Sequence, residues 1–277
     1  MLIGQTFQIA NGLLNQRFKI TLLAGLPRTG STLLQNLLAQ NPDVYSEGNS
    51  ALCQVMWDAK VSCECHAAEQ LKGVGKDITF TDALLRGIPS TYYSDVESNI
   101  ILDKCRNWVN EPNIAMARDY ISPDVRSIVM VRPLDEIVAS FARVAAENNS
   151  VFSYEALLGQ GCDLDRAVQA THYAAKSQDP SFLFVSYDDL VSRTKETLTR
   201  IYSHIGKEPF AHNVHQVEQT VFEDDERNNM VGMHDIRPEI SKQVNEVVLP
   251  DWVKEACENM TRAIFSEIDG IDRAHAA

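Results

Sequence analysis

The chain has 277 residues, of which 44% are hydrophobic and 23% charged, and its formal net charge is −13. This composition argues against a disordered chain, and the length suits one large α/β domain that buries a substantial core without disulfides. The acidic balance argues against a nucleic-acid-binding protein, because such proteins present a basic face.

Residues 1–18 lack the continuous apolar stretch of a secretory signal peptide, and no apolar run approaches the ~20 residues of a membrane span. The six cysteines include one close pair, Cys63 and Cys65, and no second pair completes a zinc site. We therefore expect a cytoplasmic protein with reduced thiols, no membrane span and no metal.

Short apolar segments alternate with helical patterns along the chain. Residues 18–24 (F-K-I-T-L-L-A) predict a buried strand, residues 25–30 a turn, and the leucine stripe that begins at Ser31 a helix, which Asn41-Pro42 ends. Residues 49–73 show a weak helical pattern. Further predicted strands are 99–102, 127–131 and 182–185, and further predicted helices are 113–120, one after Pro133, 163–178, 188–205 and 250–268.

This order predicts an α/β fold in which a parallel β-sheet is flanked by helices on both faces. We expect one domain over residues 1–277, with residues 50–95 and 207–249 as acceptor-side or lid segments. Ligands of such sheets bind beyond the carboxyl ends of the strands. The segments that follow the strands, residues 25–31 and 103–106, Arg132 and residues 186–187, should therefore meet in one crevice.

The loop after the first predicted strand has the features of a phosphate loop. It reads G-L-P-R-T-G-S-T over residues 25–32, and it follows a strand and opens a helix, so that free N–H groups and the positive helix end can face an anion. The loop is close to G-x-x-x-x-G-K-[ST], but Ser31 stands at the lysine position and the cation is Arg28. A nucleotide triphosphatase needs that lysine on the β- and γ-phosphates. The sequence thus predicts a P-loop-type sheet that takes a different phosphate-bearing donor.

The segment P-R-T-G-S-T-L-L resembles the 5′-phosphosulfate loop of sulfotransferases that use 3′-phosphoadenosine 5′-phosphosulfate (PAPS), and its continuation to N-P-D-V is similar to the tyrosylprotein and bacterial branches. The resemblance implies transfer of a sulfuryl group from PAPS to a hydroxyl or amine acceptor, with release of 3′,5′-ADP and without a metal. It also implies that Arg28 and the loop hold the 5′-phosphosulfate. The other loop residues concerned are Thr29, Gly30, Ser31, Thr32 and Leu33.

Two later segments resemble the rest of the donor site. Residues 127–141 (S-I-V-M-V-R-P-L-D-E-I-V-A-S-F) are similar to the 3′-phosphate motif, in which a strand ends in Arg and a Ser follows eight residues later, and Arg132 and Ser140 match it. Residues 182–191 (F-L-F-V-S-Y-D-D-L-V) resemble a segment whose tyrosine, here Tyr187, lies near the nucleotide. A half-buried tyrosine at a strand end is the alternative. The resemblance covers residues 18–48, 99–145 and 182–206.

Three residues are catalytic candidates, because the reaction needs charge stabilised on the leaving oxygens and a base for the acceptor. Arg28 lies in the loop. Lys104, in I-I-L-D-K, matches the D-K of the bacterial branch, and the resemblance implies that it touches the sulfuryl group; a solvated lysine is the alternative. Glu47 is the candidate base because the tyrosylprotein branch has glutamates nearby, although an ungapped comparison places Asn49 at that position.

Two other functions stay open at this point. A P-loop kinase using ATP and Mg²⁺ could employ Asp103 as its metal-holding aspartate, but it would lack the usual lysine. An inactive nucleotide-binding protein would show the same donor motifs. The expected partner is a small-molecule, carbohydrate or peptide acceptor and not a nucleic acid, and the oligomeric state stays open. The histidines match no family motif, and the acidic residues 223–226 are expected to form a solvated turn.

Overall fold

A computed structural model describes residues 17–226, 230–243 and 247–268. Its centre is a sheet of five parallel strands, in the order β2-β3-β1-β4-β5. The strands are β1 (Lys19–Gly25), β2 (Val44–Asn49), β3 (Ile100–Lys104), β4 (Arg126–Val131) and β5 (Phe182–Ser186). The predicted α/β fold with a parallel sheet is therefore confirmed.

Helices cover both faces of the sheet because successive side chains of each buried strand point to opposite sides. In chain order they are α1 (Ser31–Leu38), α2 (Leu52–Val61), α3 (Ala68–Gly73), α4 (Ile78–Tyr92), α5 (Glu111–Tyr120), α6 (Leu134–Glu147), α7 (Tyr154–Leu157), α8 (Asp163–Ser177), α9 (Tyr187–Ser192), α10 (Thr194–Ile205) and α11 (Asp251–Phe265), with a π-helical turn at Ser62–His66 and a 3₁₀ turn at Arg106–Val109. Leu22 of β1 packs with α2, α4, α5 and α8. Its neighbour Leu23 packs with α1 and α10 on the other face.

The sequence pattern did not predict β2, α4 or the short helix α7. β2 reads V-Y-S-E-G-N, and it is a half-buried strand at the edge of the sheet, so it lacks the apolar run of the central strands. α4 contains Gly87 and Pro89, two residues that normally interrupt a helical pattern. Its start is fixed by Asp77, whose carboxylate accepts a hydrogen bond from the backbone N–H of Thr79 at 3.0 Å. The helix predicted at 188–205 is also two helices, α9 and α10.

β3 brings a fully buried carboxylate, Asp103, into the core. It accepts hydrogen bonds from Ser50 Oγ at 2.8 Å, Tyr93 Oη at 2.5 Å and Trp108 Nε1 at 2.6 Å. Burial raises its pKa, and the three donors partly oppose that effect. Because three side chains of the core surround the carboxylate, Asp103 is a structural residue, which removes the main support for the kinase alternative.

We expect Asp103→Ala to lower the free energy of unfolding by about 3 kcal/mol or more, because three buried donors would lose their acceptor together. Urea unfolding followed by circular dichroism measures the effect. Asp119→Ala, on the exposed side of α5, is the control and should change stability by about 0.5 kcal/mol or less. Equal stability of the two variants would contradict the structural role of Asp103.

Candidate active site

The carboxyl ends of β1, β3 and β4 open onto a cleft. Its empty space, including the part that is open to solvent, is about 970 Å³. The loop after β1, Lys104, Arg132, Ser140 and Tyr187 all line it. The structure thus brings together segments that the sequence places after separate strands. Of the predicted donor-site residues, Thr29 is outside the lining because its side chain is buried and its hydroxyl donates to the Leu26 carbonyl at 2.8 Å.

The loop gets its shape from backbone positions in the left-handed region. Arg28 has φ +58° and Gly30 has φ +79°. Gly25 has φ +109°, and a Cβ there would lie 2.2 Å from the Met130 carbonyl oxygen, so this position needs glycine. Leu34 donates the first helical bond, to the Gly30 carbonyl at 2.9 Å. The amides before it therefore precede the hydrogen-bonded part of α1 and are suited to an anion at the helix N-terminus.

Arg28 lies between the loop and two later parts of the chain. Its Nε donates to Ser140 Oγ at 3.1 Å, and its Nη1 donates to the Met233 carbonyl. Burial, together with the nearby cations Arg143 and Arg132, lowers its pKa to about 10. The guanidinium is still charged at neutral pH, so an anion bound here would relieve the repulsion among these cations.

Arg132, at the end of β4, is nearly buried but keeps one donor without an acceptor. Its Nε pairs with Glu136 Oε2 at 2.8 Å, its Nη1 donates to the Arg28 carbonyl at 3.0 Å, and its guanidinium carbon lies 4.1 Å from the centroid of the Tyr187 ring. Among the residues that the structure describes, no hydrogen-bond acceptor meets its buried Nη2. A buried guanidinium N–H group is costly to leave without an acceptor, so Nη2 is suited to a ligand anion.

Lys104 ends β3 with its side chain only 6% exposed, and its ammonium forms an ion pair with Glu223. Burial lowers the pKa of Lys104, whereas Glu223 acts in the opposite direction. The alternative of a solvated lysine is therefore excluded by its burial. The side chain lines the cleft on the opposite side of β1 from Arg132.

Glu47 lies on β2 and outside the lining of the cleft. Its carboxylate accepts hydrogen bonds from the hydroxyls of Tyr45 at 3.2 Å and Tyr92 at 3.0 Å. Burial and the neighbouring Glu47 carboxylate raise the pKa of Tyr45 to about 12, so this hydroxyl stays a donor at neutral pH. Its role as a base remains a prediction.

A segment from the C-terminal third completes the cleft, and the sequence interpretation missed most of it. Residues 233–237 line the cleft, among them His234 and Arg237. The expectation of a solvated acidic turn at residues 223–226 was wrong for Glu223 and Asp225, whose side chains are only 12% and 11% exposed. Glu223 packs against Lys104, which is 119 residues away in the chain, and Asp225 packs against His234 nine residues later, so no local pattern marks them.

The cleft is locally cationic although the protein is acidic. Its lining includes five basic side chains, Arg28, Lys104, Arg106, Arg132 and Arg237, but only two carboxylates, Asp235 and Glu239. Such a local excess of positive charge attracts an anionic ligand whatever the net charge of the chain.

Within the described residues, no group of three or more His, Cys, Asp or Glu side chains is arranged to hold a metal ion. In the same part of the chain, no helix is both long and apolar enough to cross a bilayer.

Comparison with known proteins identifies the family of the chain. The model of the sulfotransferase family matches residues 21–211, which is most of the chain, and the protein therefore belongs to the sulfotransferase family. No curated protein matches the sequence significantly.

Three solved structures share the fold at low sequence identity. The sulfotransferase domain of the curacin biosynthetic pathway is 17% identical, with a TM-score of 0.52 over 88% of this chain and 96% of that one. The sulfotransferase domain of the Synechococcus PCC 7002 olefin synthase is 15% identical, with a TM-score of 0.51 over 91% and 96%. Sulfotransferase STF9 from Mycobacterium avium is 13% identical, with a TM-score of 0.50 over 96% and 81%.

Proposed function

We propose that this sulfotransferase uses PAPS as its donor and transfers the sulfuryl group to a hydroxyl or amine acceptor, releasing 3′,5′-ADP. The observation that carries the proposal is the pairing of two anion-binding points in one cleft. One is the helix N-terminus with Arg28, and the other is the buried Arg132 with its available Nη2. Ser140 and the Arg28 carbonyl link the two points. PAPS carries two anionic ends, a 5′-phosphosulfate and a 3′-phosphate, and so fits this arrangement.

Under this proposal, each predicted donor-site residue and Lys104 has a role. Arg28 and the amides of residues 29–33 hold the 5′-phosphosulfate, while Arg132 and Ser140 hold the 3′-phosphate and Tyr187 supports the arginine by stacking. Lys104 faces the sulfuryl group. The reaction breaks the bond between sulfur and the bridging phosphate oxygen, and the cations stabilise the charge that this oxygen gains. Because arginine and lysine provide this charge, the proposal requires no metal.

We expect 3′,5′-ADP to bind in the presence of a chelator and ATP with Mg²⁺ to bind poorly, because Ser31 stands where an ATP-binding loop has lysine. Isothermal titration calorimetry of the full chain measures both. Adenosine 5′-monophosphate is the matched control ligand, since it lacks the 3′-phosphate that Arg132 would hold. Tight ATP binding that depends on Mg²⁺, without any response to 3′,5′-ADP, would overturn PAPS as the donor.

The acceptor is proposed only by class, as a small molecule, a carbohydrate or a peptide. Residues 233–237 line the cleft together with Lys104, and we assign this C-terminal segment to the lid. A screen of hydroxyl and amine compounds with sulfur-labelled PAPS identifies acceptors. A chain that binds 3′,5′-ADP but transfers label to none of them, and not to water, would be an inactive nucleotide-binding protein.

A further inference from the structure

Glu223 lies beyond residues 21–211, the region that matches the family model, yet its carboxylate pairs with Lys104, one of the residues that line the cleft. It packs directly over the end of β2. A Cβ placed on Gly48 would lie 2.7 Å from Glu223 Cγ and 2.7 Å from the Phe222 carbonyl oxygen, so the chain can pass here only over a glycine. The next residue is Asn49, the position of the base in the ungapped family comparison. Its amide cannot act as a general base at neutral pH. Glu223 therefore brings a carboxylate close to a position whose own side chain is an amide.

The carboxylate of Glu223 is held at both of its oxygens. Oε1 pairs with Lys104 Nζ, and Oε2 lies 3.4 Å from His234 Nε2. His234 is itself fixed by Asp225, which accepts from the His234 backbone N–H at 2.8 Å and meets Nδ1 at 2.5 Å. The result is a chain of contacts from Asp225 through His234 and Glu223 to Lys104. Lys104 and His234 both line the cleft, so the Glu223 carboxylate lies between two groups that face the ligand.

We propose that Glu223 is the general base of sulfuryl transfer and that His234, held by Asp225, is its positioning residue. This inference rests on the proposed function. The acceptor O–H proton moves to a Glu223 oxygen, the acceptor oxygen forms a bond to sulfur, and the bond from sulfur to the 5′-phosphate oxygen breaks. The electron pair of that bond stays on the phosphate of 3′,5′-ADP, and Glu223 later returns its proton to solvent.

Contact with Lys104 is what favours Glu223 over Glu47. Under the proposed function, the sulfuryl group contacts the ammonium of Lys104. The Glu223 carboxylate, which pairs with that ammonium, is therefore next to the place where the acceptor oxygen attacks sulfur. An incoming sulfuryl group competes for Lys104 and frees one Glu223 oxygen for the acceptor hydroxyl. Neither carboxylate is itself part of the cleft lining, but Glu223 contacts two lining residues, Lys104 and His234. Glu47 instead accepts hydrogen bonds from Tyr45 and Tyr92, neither of which lines the cleft.

The main test is Glu223→Gln, a substitution that keeps the shape and removes the basic oxygen. We expect transfer to fall by about 10²–10⁴-fold, while the affinity for 3′,5′-ADP changes by less than about threefold. Transfer is measured in a single turnover with labelled PAPS, with water as one acceptor and the hydroxyl compound from the screen as another. Glu218→Gln, the same change at an exposed site of the same segment, should leave transfer unchanged.

Chemical rescue separates a base from a residue that only supports the segment. Glu223→Ala leaves space beside Gly48 for a small carboxylate, and we expect added formate to raise its transfer rate by at least about tenfold. Formate should not accelerate the wild type or Glu218→Ala. His234→Gln should also slow transfer, but the loss should vanish when Glu223 is already Gln, because a positioning residue acts through its partner.

The outcomes distinguish this inference from the proposed function. A wild-type chain that binds no 3′,5′-ADP overturns the proposed function and the base with it. If 3′,5′-ADP binds normally, then unchanged transfer by Glu223→Gln, or a larger loss in Glu47→Gln, overturns Glu223 alone. Absence of formate rescue, together with donor binding that weakens as much as transfer slows, shows that Glu223 only holds the segment in place and also overturns its role as base.

Discussion

Lys104→Ala is expected to lower the rate of sulfuryl transfer by about 10²–10³-fold while leaving donor affinity nearly unchanged. Lys104 is held at the end of β3 with its side chain 6% exposed, so its charge is fixed in place before the reaction begins. A fixed charge in a site with little water stabilises developing negative charge more than a mobile surface charge does. We therefore expect Lys104 to stabilise the transition state more than the bound donor, so that its loss lowers the rate and not the affinity.

The measurement pairs single-turnover transfer rates with calorimetric affinity for 3′,5′-ADP. Lys207→Ala, which removes an exposed lysine after α10, is the control and should change neither quantity. Equal losses in rate and affinity would show that Lys104 contributes to binding in general and not to the transition state. A rate close to that of the wild type would leave Arg28 and the loop amides as the main source of electrostatic stabilisation.

Folding must be checked in the same series, because Lys104→Ala leaves the Glu223 carboxylate nearly buried and without its cation. Lys104→Met keeps most of the side-chain volume, and the double variant Lys104→Met/Glu223→Gln removes both charges. We expect the double variant to unfold at a higher urea concentration than Lys104→Met alone. This order would show that any loss of stability comes from the unpaired carboxylate.

The sequence predicted which segments meet in the cleft because their residues carry local signals. Arg28, Lys104 and Arg132 each lie directly after or at the end of an apolar strand, and parallel strands end at the same edge of a sheet. Strand ends are easy to recognise, so three short segments were enough to predict the place where they meet. The left-handed conformation of Arg28 was not predictable, since this conformation is uncommon for a residue other than glycine.

The position of Glu223 behind the cleft was not predictable because it depends on a contact between distant residues. Glu223 and Lys104 are 119 residues apart in the chain. An acidic run followed by an irregular polar segment is usually solvated, and nothing in the neighbouring sequence shows that two of its carboxylates turn inward. Gly48 was the one available signal, because a glycine within a strand often marks a close approach of another backbone.

Arg132→Ala is expected to weaken the binding of 3′,5′-ADP by about 1.5–3 kcal/mol, which corresponds to an increase in Kd of about 10–150-fold. The guanidinium combines one buried donor that lacks an acceptor with a fixed orientation from Glu136 and the Tyr187 ring. In the wild type, a ligand phosphate can accept from Nη2 without first having to order the side chain. Arg132→Ala therefore removes one charge-assisted hydrogen bond from the complex.

The ligand and the control variant decide where this effect arises. Arg126→Ala removes an arginine from the opposite end of the same strand, where its guanidinium donates to the Pro180 carbonyl at 3.3 Å, and it should leave the affinity unchanged. Adenosine 5′-monophosphate should bind wild type and Arg132→Ala about equally, because it has no 3′-phosphate to lose. If Arg132→Ala weakens both ligands to the same extent, the arginine supports the loop through the Arg28 carbonyl and does not hold the 3′-phosphate. Unchanged affinity for 3′,5′-ADP would remove Arg132 from the donor site altogether.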